Sequence, residues 1–83
     1  MKQTNIKTQF GLTVKKIRTE RNISQEKLAE MTGLHRTYIS EVERGNRNLS
    51  LINIEKLSIA LDLSISEFFL IMEKLSAEVG NES

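Results

Sequence analysis

The sequence predicts an all-α fold, a compact five-helix bundle, on three observations. There is no proline, no stretch sustains the apolar-polar alternation of a strand, and apolar residues recur at helical spacing between short turn signals. The 83 residues include no cysteine, so disulfides and thiolate metal sites are unavailable. A domain of this size gains only marginal stability from one core, and burial in a dimer would add to it.

The first helix carries Phe10, Val14 and Ile17 on one face, with Ile6 in register to extend it. Thr8 is the expected N-cap and Asn22 the expected left-handed stop. Residues 1–7 are then an extra turn or a tail, 8–79 the domain and 80–83 a second tail. Gly11 inside this helix costs about 1 kcal/mol relative to Ala, which points to close packing or fraying. A second helix starts after Ser24 and runs through "QEKLAEMT" to Gly33. The third begins near His35, turns Ile39 and Val42 inward and ends at Gly45. Helices this short depend on packing against their neighbours. His35 is a weak N-cap, which leaves its imidazole open to another contact, DNA included.

The fourth helix, "LINIEKLSIALD", follows Ser50 with Leu51, Ile54, Leu57, Ile59 and Leu61 available for burial. The fifth opens at "SISE", where Ser64 and Glu67 have the spacing of a capping box. Ile65, Phe68, Phe69, Met72 and Leu75, with Leu70 and Ile71, surround that helix more widely than one core-facing stripe requires. Either the bundle wraps it on two sides or these residues form a homodimer seam. The seam is the expectation, because small domains avoid broad exposed apolar patches.

Net charge is +1, yet the charges are segregated: residues 1–27 balance to +5 and residues 28–83 to −4. That distribution suits a protein that turns one face toward an anion. The N-terminus "MKQTNIKTQF" lacks the apolar core of a signal peptide, and "FFLIMEKL" is far shorter than a membrane span, so a cytoplasmic location is expected. With one histidine, no cysteine and no phosphate-binding glycine loop, catalysis is not expected and no cofactor or metal is implied. His35 and Ser40, five residues apart, do not align as a dyad on one helix.

Two short helices joined by a tight glycine-containing turn are the unit that projects a recognition helix into a DNA major groove. Counting from Gln25, Ala29 is fifth, Gly33 ninth, Ile39 fifteenth and Val42 eighteenth. Ala29 lets the helices approach, Gly33 supplies the positive φ of the turn, and Ile39 and Val42 plug the second helix into the core. With Ile39 and Val42 inward, Arg36, Thr37, Ser40 and Glu41 lie on the opposite side as candidate base readers. Arg36 can give two parallel hydrogen bonds to guanine, or pair on the surface with Glu41. Thr37 offers a hydroxyl and a methyl, while Glu41 repels phosphate but can accept from cytosine N4. Tyr38 either sends its hydroxyl to a phosphate or is a half-buried core residue. Asn46, Arg47 and Asn48, at a turn before the amide-rich start of the fourth helix, suit a phosphate. Lys15 and Lys16 fit a solvated face.

In these residues the chain resembles the lambda-repressor-like helix-turn-helix proteins, the xenobiotic response element family. The likeness covers roughly residues 10–70 and is most specific in "ISQEKLAEMTGL" and "YISEVERG". Within that family, "HRTYISEVERGNRNLSLINIEKLSIAL" is most similar to the controller proteins of restriction-modification systems. The resemblance implies a homodimeric transcription factor on a near-palindromic operator of double-stranded DNA, activating at one occupancy and repressing at a higher one. It leaves open two dimers on one site and a contact with RNA polymerase. It also implies that Gln25 contacts a phosphate while bracing the recognition helix, and that Arg18 and Glu43 form a structural ion pair. The rival readings are a protein-interaction module, such as an antitoxin or antirepressor partner, and a phage-type repressor.

Overall fold

Where the first helix starts is decided by Asn5. Its side-chain oxygen accepts from the Lys7 amide at 2.7 Å, so the N-cap is Asn5 and the expected cap at Thr8 is displaced by one turn. A computed structural model describes residues 5–80, with side chains to residue 78, and the ends at 1–4 and 81–83 lie outside the described residues. The described residues form α1 (Ile6–Glu20), α2 (Gln25–Thr32), α3 (Arg36–Glu43), α4 (Leu51–Ala60) and α5 (Ile65–Gly80), with no strand among them. Ile6 and Lys7 therefore belong to the first helix, and Gly80 closes the last.

Local signals set most of the boundaries. Asn22 takes φ 59° after α1, and Gly33 takes φ 78° at the end of α2. Ser24 caps α2 through the Lys27 amide at 2.9 Å, and Ser50 caps α4 through the Asn53 amide at 3.1 Å. At α5 the capping box closes both ways: the Ser64 amide donates to Glu67 Oε1 at 2.8 Å, and the Glu67 amide donates to Ser64 Oγ at 3.1 Å. His35 makes no side-chain cap at α3. That helix is held by tertiary packing instead, with Ile39 and Val42 fully buried.

Helix α1 is the spine, packing against α3 on one side and α5 on the other, while α2 rests on α3 and α4. Phe10, Val14, Ile17, Leu28, Ala29, Ile39, Val42, Leu57, Leu61, Phe68 and Met72 make one continuous core. Phe10 and Phe68 lie 4.7 Å apart by ring centroids, with Phe69 closing the cluster. The intrahelical Gly11 is explained by α3. A Cβ there would stand 2.1 Å from the Val42 carbonyl oxygen and 2.9 Å from that of Glu43, so only hydrogen fits where the two helices cross. Close packing, not fraying, accounts for it.

Two expectations about apolar surfaces are corrected. Phe68 and Met72 belong to the chain's own core and cannot line an outer seam, while Phe69 and Leu75 are half-buried and Ile65 is exposed. In α4, Leu51 and Ile59 are not buried: they are 83% and 66% exposed, and Ile52 is 65% exposed beside them. The α4 face turned to the core is carried by Leu57 and Leu61, with Ile54 half-buried. No helix among the described residues is long and apolar enough to cross a membrane.

Candidate nucleic-acid interface

One buried carboxylate fixes the orientation of α3. Glu43 accepts from Arg18 Nε at 2.6 Å and from Arg18 Nη2 at 3.0 Å, a two-point pairing between α3 and α1. Arg18 Nη1 also donates to the Ile23 carbonyl at 2.8 Å, and Gln25 Nε2 donates to Glu43 Oε1 at 2.9 Å. The side chains of Arg18 and Glu43 are only 11% and 3% exposed. Gln25, at the first turn of α2, thus braces the recognition helix through Glu43, and its own carbonyl oxygen faces no partner in this network.

On the far side of α3, Arg36 and Thr37 are exposed and make no hydrogen bond or ion pair within the described chain. The alternative pairing of Arg36 with Glu41 is not formed. Glu41 is engaged elsewhere, its Oε1 lying 3.4 Å from Arg47 Nη1. The Arg47 guanidinium also sits over the Tyr38 ring, 4.7 Å from the centroid. Tyr38 fits its reading as a half-buried residue: the ring packs on the core and the hydroxyl accepts from Asn53 Nδ2 at 3.0 Å, which leaves the hydroxyl proton available to donate. Ser40 likewise accepts from Arg44 Nη1 at 2.6 Å and keeps its proton as a donor. Asn46 and Asn48 are exposed on the turn that carries Arg47.

The turn is positioned by α1. Gly45 packs so tightly on Thr8 that a Cβ would come within 2.9 Å of the Thr8 Cα and Oγ1. The Asn46 amide then donates back to the Glu41 carbonyl at 2.9 Å, which holds the end of α3 and the start of the turn together. Arg36, Arg44 and Arg47, at the start of α3, its C-cap and the following turn, are all exposed, and Arg47 is paired with Glu41. Sequence reasoning assigned no role to Asn53 or Arg44. Asn53 is fifteen positions from Tyr38 on another helix, and periodicity within one helix gives no sign of it. Arg44 could have been found, because it is four residues after Ser40 on the same helical face.

Lys16 lies outside this set. It is exposed and bonded to Glu20 at 2.8 Å, and that hydrogen bond, with the carboxylate's charge, holds its amine above the ordinary lysine range. This belongs to a solvated helix face.

Comparison with known proteins points in one direction. The helix-turn-helix family profile HTH_3 matches residues 14–68. Control protein C.BamHI of Bacillus amyloliquefaciens is 60% identical over 58 residues, spanning 69% of this chain and 72% of that protein. The crystal structure of the restriction-modification controller protein C.AhdI from Aeromonas hydrophila superposes with a TM-score of 0.73 at 46% identity, over 76% of this chain and 96% of that one. The controller protein C.Esp1396I, solved as a tetramer in complex with its natural 35 base-pair operator, matches with a TM-score of 0.80 at 36% identity, over 87% of this chain and 95% of that one.

Proposed function

The chain belongs to the helix-turn-helix family and, within it, to the restriction-modification controller proteins, and from that membership we infer how its surface works: as a DNA-binding transcriptional regulator that grips its operator through α3 and the following turn. The single observation that carries this is the free, solvent-facing Arg36 on a helix whose opposite face is locked to α1 by the buried Arg18–Glu43 pair. Rigid backing and an unengaged reader are what base recognition requires. Arg36 and Thr37 read base edges from the first turn of α3, Ser40 adds a hydroxyl, and Arg47 with Asn46, Asn48, Gln25 and Tyr38 contacts phosphates.

The regulator acts as a homodimer, and the exposed apolar patch of α4 supports that reading. Leu51, Ile52 and Ile59 share one side of α4, and Ile65 lies beside Leu51 and Ile52 at the start of α5. An exposed surface so rich in apolar side chains, with Glu55 among them, favours self-association through a two-fold axis on so small a domain. A two-fold dimer that reads two half-sites presents its two α3 helices about one DNA turn, roughly 34 Å, apart. A near-palindromic operator follows from that symmetry. The tetramer on DNA described for C.Esp1396I supports two dimers on one operator here, with RNA polymerase as a further partner where occupancy switches activation to repression.

Selection of bound duplexes from a random pool tests the reading. The expected outcome is a near-palindromic consensus with half-sites about one helical turn apart. A pool that stays random after repeated rounds, with no binding above background, would favour a protein-interaction module instead.

A further inference from the structure

Glu41, on α3 among the candidate DNA-contacting side chains, carries a negative charge and pairs with Arg47. We propose that it is a built-in competitor of the DNA backbone, a carboxylate that occupies Arg47 until a phosphate displaces it. The proposal rests on the DNA-binding reading given above and assigns this residue a role other than base reading. The guanidinium of Arg47 has two supports of different kinds. Its flat face lies on the Tyr38 ring at 4.7 Å, and its Nη1 edge meets Glu41 Oε1 at 3.4 Å. The aromatic support is fixed, because Asn53 of α4 holds the Tyr38 hydroxyl at 3.0 Å. The carboxylate support is exchangeable: Glu41 and Arg47 are 34% and 47% exposed, and an ion pair so wet contributes little to stability.

A backbone phosphodiester offers Arg47 two non-bridging oxygens for the same bidentate pairing, and it sits within the dense charge of the polyanion. Exchange therefore leaves the arm resting on Tyr38 and swaps only its anionic partner. The swap is unproductive in one respect. A free Arg47 meeting DNA displaces a condensed cation from the backbone without replacement, whereas the carboxylate released from Arg47 recaptures a cation of its own. Glu41 thus lowers affinity for every DNA sequence alike and flattens its salt dependence, and it spares the regulator from being held on non-operator DNA.

The test measures binding of wild type, Glu41→Gln, Arg47→Ala and the double variant to a random-sequence duplex and to an operator selected from the random pool, from 0.05 to 0.3 M salt. Glu30→Gln on α2 controls for the loss of one negative charge. Glu41→Gln is expected to strengthen binding to both duplexes by the same factor, about two- to fivefold per protomer at 0.1 M salt, the worth of the surface pair that no longer has to be broken, and to steepen the salt slope by up to about one per protomer, the effect of one more released counterion. In the Arg47→Ala background the gain disappears. Weaker binding by Glu41→Gln, a changed preference at one base pair, an equal gain without Arg47, or an equal gain from Glu30→Gln would each overturn the proposal. Wild-type chain that binds neither duplex would overturn the DNA reading along with it.

Discussion

Replacing Glu43 with Ala strikes the joint between the recognition helix and its scaffold. The loss can be worked from its partners. Three hydrogen bonds converge on the carboxylate, two from Arg18 and one from Gln25, and Arg18 would keep its charge at 11% side-chain exposure with only the Ile23 carbonyl left to satisfy it. Breaking one side of a buried pair costs about 3 to 5 kcal/mol, most of it the penalty of the abandoned charge. A chain of 83 residues has a total stability of about 4 to 12 kcal/mol by the usual per-residue range, so Glu43→Ala should leave the fold close to its limit. Because one kcal/mol moves the melting temperature of so small a domain by about 4 to 8 °C, a drop of at least 12 °C or so is expected. Thermal melts followed by circular dichroism measure it, at one fixed protein concentration because the proposed self-association would also stabilise the fold. The double replacement Arg18→Met with Glu43→Leu removes both charges and should recover most of the loss, since well-packed apolar residues often equal or exceed a buried pair. A melting temperature within 3 °C of wild type for Glu43→Ala, or a double variant less stable than the single, would refute this assignment.

Two further outcomes concern packing and assembly. Helix propensity alone predicts that Gly11→Ala gains about 1 kcal/mol, but the new methyl would collide with the α3 carbonyls of Val42 and Glu43. Overpacking of that kind costs about 1 to 3 kcal/mol or more, so denaturant unfolding should show a net loss and DNA binding should weaken as α3 shifts. Ile52→Glu, at a site 65% exposed in the single chain, should leave the helical content intact and convert the proposed dimer to monomer in sedimentation at micromolar concentration; a variant that dimerises as the wild type does would remove the α4 patch from the proposed interface.

The sequence was readable where one residue acts on its own backbone neighbourhood. Ser24, Gly33, Asn22 and the Ser64–Glu67 box each declare a helix end by local chemistry, and the structure puts the ends there. Asn5 was missed because Asn and Thr cap equally well in principle, and only the Lys7 amide decides between Asn5 and Thr8. Burial was less legible. Helix α4 is apolar on most of its circumference, so periodicity does not say which side the core takes, and of the five residues available for burial Leu51 and Ile59 stay outside the chain's own core. For α5 the same ambiguity ran the other way and assigned the core residues Phe68 and Met72 to a seam. At the interface, the alternation of inward and outward residues in α3 set Arg36 and Thr37 apart from Ile39 and Val42. The pairing of Glu41 with Arg47 was out of reach, because Arg47 lies beyond the Gly45 turn, where helical spacing no longer tells which side chains meet.

The division of labour along α3 and its turn is tested most directly by titrating Arg36→Ala and Arg47→Ala against the selected operator and its single-base variants over a range of salt. Arg36→Ala should lose about 1 to 3 kcal/mol on the operator and relax the preference at one base pair, with the salt slope nearly unchanged. Arg47→Ala should weaken every duplex by the same factor, and its full effect on the salt slope, a reduction of about one per protomer, should appear in the Glu41→Gln background, where no carboxylate recaptures a cation. Identical losses for both variants across all duplexes, with the base preferences of each intact, would contradict a surface in which one arginine reads sequence and the other holds the backbone.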